Sequence, residues 1–396
     1  MHRLRLYSIL NLLSLRAASS LSLPMPILSP ATTSGVLVDA GSGHTSITYY
    51  NFRHDRGHCT PITQTAKTWL THADAGNLPI TDVMGGDGSG FSGTSVSERT
   101  GELILLLKAA MDKVDATSPD VLLVGCTGGV RSALADGRMC DADIETIRAA
   151  FQASFQEVPQ VKVEVVPGEQ EAAWETEAVN AIWGGEAAQM FPEGHLKGGA
   201  IGLFSGGGKS MQVGVAGAAH SFPFGVFPKE LEERQGAHPD AWLDDEKWGR
   251  FTAELRGRIE KVAEAREAKF KGRFVGTAMN HRAAKHCGIA GRPITAGETR
   301  VALASALPLV RGGSGVLFDA MMAGRNPKSK YPMARIVCMH AFRLMTVLEL
   351  MFEDDTELFF AMDGVDGGGG KIECEWTVGA MVREAEERSA RVAQEE

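Results

Sequence analysis

The run Gly35-Val36-Leu37-Val38-Asp39-Ala40-Gly41-Ser42-Gly43-His44-Thr45-Ser46 carries an apolar strand into a carboxylate and a turn of small residues. Gly41, Ser42 and Gly43 let backbone N–H groups converge on an anion without side-chain obstruction. Asp39 comes out at the strand end, where a carboxylate can stand beside a phosphate-bound divalent metal, directly or through water. The chemistry on offer is the handling of a metal-bound phosphate, although the same residues also make an ordinary hairpin. A second segment of this plan follows later in the chain: Ala200 to Val213 reads as strand, glycine turn and strand, with Ser205, Gly207, Gly208, Lys209, Ser210 and Gln212 at the turn. One loop is a turn or a cradle; two loops, one opening each half of the chain, describe a site in which each half offers backbone to the same phosphates.

Two segments lie between them. Val121-Leu122-Leu123-Val124-Gly125-Cys126-Thr127-Gly128-Gly129-Val130-Arg131 is a strand and turn, and Val165-Val166-Pro167-Gly168-Glu169-Gln170-Glu171-Ala172-Ala173-Trp174 leads into a helix. With these, the chain resembles the apyrases, the nucleoside triphosphate diphosphohydrolases of the actin-like superfamily. The opening D-A-G-S-G-H-T-S is similar to the apyrase D-A-G-S-S-H-T-S, the Thr127 segment to A-T-A-G-x-R, and the Glu171 segment to S-G-x-x-E-G-x-x-x-W. Glu375 to Met381 is similar to their W-x-L-G-x segment. The Glu171 segment also resembles the S-G-E-E-E-A of exopolyphosphatases.

The resemblance implies roles. Glu171 would be the general base that activates the attacking water, a task suited to a carboxylate because it accepts a proton without adding positive charge near a metal. Thr127 would help hold that water, and Arg131 would contact phosphate or brace the loops. Ser42, Gly43 and His44 would form the first phosphate loop; Gly207, Gly208, Ser210 and Gln212 would form the second. A divalent metal, Mg²⁺ or Ca²⁺, would sit near Asp39 and Ser205. Here the chain departs from the family pattern: Ser205 stands where the family has its second metal-facing aspartate, and Lys209 stands at an alanine. A hydroxyl brings no negative charge, so metal affinity falls relative to a two-carboxylate site.

The elements that must position these groups alternate between strand and helix. The fold class expected is α/β, two actin-like (ribonuclease H-like) domains around a central nucleotide cleft. Residues 34–163 form the first domain, rejoined by a final helix over 376–396, and 164–375 form the second. A helix over 97–114 places Leu103, Leu106, Leu107 and Ala110 on one face. A helix starts at Glu171, a charged helix runs over 244–271 and an apolar helix covers 337–352. Residues 274–280 read as a strand-to-helix turn facing the cleft, and the glycine-rich 363–370 as a loop. His281, His286 and His340 lack the spacing of metal ligands.

At 396 residues and 44% hydrophobic content the chain holds two cores, and its 46 glycines suit many strand–loop junctions. A net charge of −9 argues against non-specific nucleic-acid binding. Residues 1–33 form a leader: Arg3, Arg5 and Arg16 flank the apolar stretch Leu6 to Leu15, and no acid occurs before Asp39. This reads as a secretory signal peptide or a plastid or mitochondrial transit peptide, the secretory reading preferred, and leaves no stable membrane anchor after removal. Six scattered cysteines allow three disulfides, although Cys126 suits a buried thiol better. The expected function is metal-dependent release of terminal phosphate from nucleoside tri- or diphosphates. The alternatives are an exopolyphosphatase or guanosine pentaphosphatase, and a nucleotide-binding protein without turnover.

Overall fold

The computed structural model describes residues 32–40, 45–55, 58–69, 71–72, 76–77, 95–113, 119–183, 201–208, 210–215, 218–226, 245–311, 333–361, 363–365, 371–373 and 376–395. Strands are β1 (Thr32–Ala40), β2 (Thr45–Asp55), β3 (His58–Trp69), β4 (Thr71–His72), β5 (Gly76–Asn77), β6 (Val121–Cys126), β7 (Gln160–Val165), β8 (Gly202–Gly206), β9 (Met211–Val215), β10 (Ala218–Phe222), β11 (Arg273–Gly276), β12 (Pro293–Thr295), β13 (Glu357–Phe360), β14 (Asp363–Val365) and β15 (Lys371–Glu373). Helices are α1 (Val96–Lys113), α2 (Gly128–Ala135), α3 (Asp141–Ser154), α4 (Gly168–Trp183), α5 (Asp245–Glu264), α6 (Ala278–His286), α7 (Ala296–Arg311), α8 (Met333–Met351) and α9 (Trp376–Glu395).

Two sheets repeat one plan. The first has the order β3-β2-β1-β6-β7 and the second β10-β9-β8-β11-β13-β12. In each, three antiparallel strands are followed by parallel ones: β1 lies parallel to β6 and β6 to β7, as β8 lies parallel to β11 and β11 to β13, and the second sheet adds β12 antiparallel to β13. Parallel strands bury both faces, which is why Val36, Leu37 and Val38 are all apolar and all buried. Val36, Val38 and Ala40 pack with Leu103, Leu107, Ile147 and Phe151 of α1 and α3. Leu37 turns the other way and joins Leu203, Val275, Trp174, Val378 and Met381 in a central core. Phe204, Met211 and Phe274 face a third core with Leu255, Leu303, Leu344 and Phe352. The helices α4 and α9 therefore lie in the layer to which both sheets contribute.

Glycines make that layer tight. A Cβ at Gly379 would lie 1.7 Å from the Trp174 carbonyl oxygen, so α9 crosses α4 backbone to backbone. Trp174 and Trp376 stack there with centroids 5.8 Å apart, and the Tyr50 hydroxyl on β2 shares a 2.8 Å hydrogen bond with that of Thr377. Because the obstruction is backbone rather than a flexible side chain, Gly379→Ala should cost about 1–3 kcal/mol, read as a lower urea midpoint at an unchanged slope.

Several expected boundaries shift for tertiary reasons. The charged helix stops at Glu264 instead of continuing to 271. Phe270 leaves the helical path to enter the core, its N–H donating to Met351 O at 2.7 Å, with the Arg266 guanidinium 3.9 Å above its ring. The helix carrying Glu171 starts three residues early, at Gly168. Part of the expected loop 363–370 is ordered as strand: β14 pairs antiparallel with β15, Asp363 opposite Glu373. The Gly-rich 85–90 lies outside the described residues. No helix among the described residues is long and apolar enough to cross a membrane.

Candidate functional site

The first strand ends at Asp39-Ala40, in register with Gly125 and Cys126 of β6. Thr127 follows directly, caps α2 and is buried. Its N–H donates to Ala40 O at 3.3 Å and its hydroxyl donates to the same oxygen at 3.4 Å, tying the β6 end to the first hairpin. Asp39 is felt by its neighbour: burial first, and then the Asp39 carboxylate, push the Cys126 thiol up to about 12. Cys126 is thus an inert core thiol, and Cys126, Cys140, Cys287 and Cys338 are all free, which rules out three disulfides.

One turn into α2, Arg131 reaches across to the next strand–helix junction. Its Nη1 donates to Val166 O at 2.5 Å and its Nη2 to Glu171 Oε2 at 3.1 Å. These bonds tie Arg131 to the end of β7 and to the first turn of α4, where it forms an ion pair with Glu171. Glu171 sits in that turn, with its N–H on Pro167 O at 2.9 Å and a side chain only 13% exposed. Burial pushes its carboxyl up, and the Arg131 charge and hydrogen bond pull it part of the way back. The result is a partly desolvated carboxylate held at one oxygen, suited to accept a proton at the other.

The second hairpin approaches from the opposite sheet. Ser205 faces Gln212 across β8 and β9, and both are buried. Phe204, one residue earlier, is anchored against Phe360 and Phe352 at 5.5 and 5.6 Å, which fixes where Ser205 emerges. Gln212 Nε2 donates to Ser210 Oγ at 2.7 Å, and Gly207 N–H closes the turn on Ser210 O at 3.0 Å. Gln212 therefore shapes the loop through Ser210. Gly208 is held from outside by Val226 N–H at 3.0 Å. Gln212 also pairs with Ser221 on β10, and Ser221 meets α4: a Cβ at Gly168 would lie 2.2 Å from its hydroxyl oxygen. The strand β10, paired with the second hairpin, thus reaches the turn that carries Glu171.

Thr127, Arg131 and Glu171 are accordingly joined to Ala40 on one side and, through Gly168 and Ser221, to Gln212, Ser210 and Ser205 on the other. Ser42, Gly43, His44 and Lys209 lie outside the described residues. Among the described residues no three His, Cys, Asp or Glu side chains gather to hold a metal ion. Asp39 on β1 and Ser205 on β8 are one carboxylate and one hydroxyl, donors of the kind that hold an ion such as Mg²⁺ only together with substrate phosphates and water.

Three polar residues near the second loop were not singled out as site groups in the sequence. Thr277 N–H donates to Phe204 O at 3.1 Å, the same contact that Thr127 makes with Ala40. Asn280 Nδ2 donates to Phe204 O at 3.3 Å. Arg343, on α8, is fully buried beneath the loop with His340. The available signal was a cation three residues after a histidine inside an apolar helix. His340 Nδ1 meets Arg343 Nη2 at 2.9 Å, and burial holds the ring well below the ordinary histidine range.

No family model matches this chain, and no curated protein matches it. Solved structures do. The Aquifex aeolicus member of the Ppx/GppA protein family superposes with a TM-score of 0.56 at 15% identity, covering 90% of this chain and 99% of that one. An exopolyphosphatase-like protein gives 0.54 at 13%, covering 89% and 98%. A nucleoside triphosphate hydrolase from Neospora caninum gives 0.51 at 12%, covering 89% and 92%. At these identities the likeness is one of fold: the chain has the two-sheet, actin-like α/β fold of these proteins.

Proposed function

We propose that this protein hydrolyses the terminal phosphoanhydride bond of nucleoside tri- or diphosphates, in the manner of the apyrases it resembles. The observation that carries the reading is the Arg131 bridge, which holds Glu171 in the first turn of α4. Glu171 takes a proton from water, whose oxygen attacks the terminal phosphorus. The bond to the bridging oxygen breaks, and its electron pair leaves with the shortened nucleotide. Thr127 positions the water. The Gly208 N–H, with Ser42, Gly43, His44 and Ser210, holds the terminal phosphoryl, while Gly207 shapes the loop by closing it on Ser210 O. Asp39 and Ser205 would hold a divalent ion, which when bound offsets phosphate charge.

A second reading is hydrolysis of linear polyphosphate or guanosine pentaphosphate. The Pro167 to Ala172 segment favours it, as does the Ppx/GppA likeness, in which the fold covers 99% of the other chain. Phosphate release by the full chain from ATP, ADP, GDP, UDP and polyphosphate, with Mg²⁺ or Ca²⁺, separates the two. Faster release from nucleotides supports the first reading, and release from polyphosphate exceeding that from ATP replaces it with the second.

A further inference from the structure

Arg343 is the largest fully buried side chain of the described residues, and no acid among them pairs with it. Its Nη1 donates to Gly207 O at 2.7 Å, to Phe224 O at 3.2 Å and to Ser210 O at 3.4 Å, while Nη2 meets His340 Nδ1 at 2.9 Å. Three backbone carbonyls take up Nη1 and a neutral ring takes up Nη2, none of which cancels the charge. A buried cation lacking a carboxylate is costly, and this one lies directly under the loop read as the second phosphate cradle. Gly206 leaves it no slack, since a Cβ there would stand 2.2 Å from Arg343 Nη2 and 2.6 Å from Asn280 Oδ1.

The direction of the bonds matters as much as the charge. In a trans peptide N–H and C=O point opposite ways. With the Gly207 carbonyl drawn down to Arg343, the N–H of Gly208 is turned to the other side of the loop, away from the guanidinium. The loop thus has carbonyls on a buried cation and an amide on its outer side. Beside it, position 205 carries a hydroxyl in place of a carboxylate. The serine brings no carboxylate to this end of β8, and an acid there would add a negative charge to the strand that leads into the loop.

We propose that Arg343 is the positioning residue and internal counter-charge beneath Gly207, Gly208 and Ser210, so that this half of the site holds phosphate by a backbone amide and a buried cation rather than through a second metal-facing carboxylate. The inference rests on the phosphate-loop reading of the proposed function and deepens it. Burial lowers the guanidinium to about 9, which still leaves it charged at neutral pH.

The test is calorimetric binding of inorganic phosphate and tripolyphosphate to the full chain in metal-free buffer with chelator. Arg343→Met should weaken binding about tenfold or more, the effect of one nearby charge in a medium of intermediate dielectric. Arg343→Lys, which keeps the charge, should retain affinity to within about threefold. Ser205→Asp leaves the brace in place, so it tests the charge even where Arg343→Met does not fold; it should weaken metal-free binding. The inference is overturned if the wild-type chain binds neither anion without metal, if Arg343→Lys falls as far as Arg343→Met, or if Ser205→Asp binds phosphate as tightly as wild type. Turnover with metal is measured separately. Binding without turnover would sink the hydrolase reading and spare this one, and turnover with unchanged binding in Arg343→Met and Ser205→Asp would do the reverse.

Discussion

Glu171→Gln is expected to lower kcat by about 10²–10⁴-fold while leaving substrate KM and the urea midpoint close to wild type. The amide keeps the shape of the side chain and an oxygen that can still accept from Arg131, which in the wild type bonds Glu171 Oε2 at 3.1 Å. It cannot take a proton from water. The loss should therefore fall on the chemical step and spare binding and folding. The wild-type pH profile follows from the same residue. Burial raises the Glu171 carboxyl above the ordinary glutamate value, and a base works only when deprotonated. Activity should therefore be lost as pH falls through that raised value, placing the acid limb higher than an exposed glutamate would. A wild-type limb that persists unchanged in the residual activity of Glu171→Gln would assign the titration to another group.

Arg131→Met should produce the second-largest loss, about 100-fold in kcat, because the guanidinium fixes both Val166 and Glu171 across the mouth of β7. Its removal also takes away the charge that holds the Glu171 carboxyl down, so the acid limb of kcat should move to higher pH. Arg131→Lys should return part of that limb, since it restores the charge but not the second hydrogen bond. Stopped-assay kcat and KM across the acid range measure both effects. A rise in KM with unchanged kcat and an unmoved limb would instead mean that Arg131 binds phosphate directly.

The strand ends that carry Asp39 and Ser205 and the helix that carries Glu171 could be read from the sequence because their signals are local, a turn beside a strand or the first turn of a helix. The contacts of Arg131 and Arg343 could not. Arg131 meets Glu171 across 40 residues and Arg343 meets Gly207 across 136, and only the packing of α2 on the β7 end and of α8 beneath the second hairpin makes those contacts. In the linear chain Arg131 offers equally a phosphate contact, a brace or a surface ion pair. The structure commits its donors to Val166 and Glu171. The same reason explains the shortened α5: helical pattern favoured continuation, and the burial of Phe270 against Met351 and Phe352 outweighed it. Ser221 behind Gly168 belongs to this class as well, because a glycine in sequence does not say what approaches it.

The central claim is that water, activated at Glu171, attacks the terminal phosphorus. Single-turnover hydrolysis by the full chain in ¹⁸O-water, with mass spectrometry of both products, tests it most directly. The account predicts one ¹⁸O atom in the released inorganic phosphate, none in the shortened nucleotide or polyphosphate, and no labelled product on this timescale from Glu171→Gln. Label in the shortened product, or equal labelled phosphate from Glu171→Gln, would contradict it.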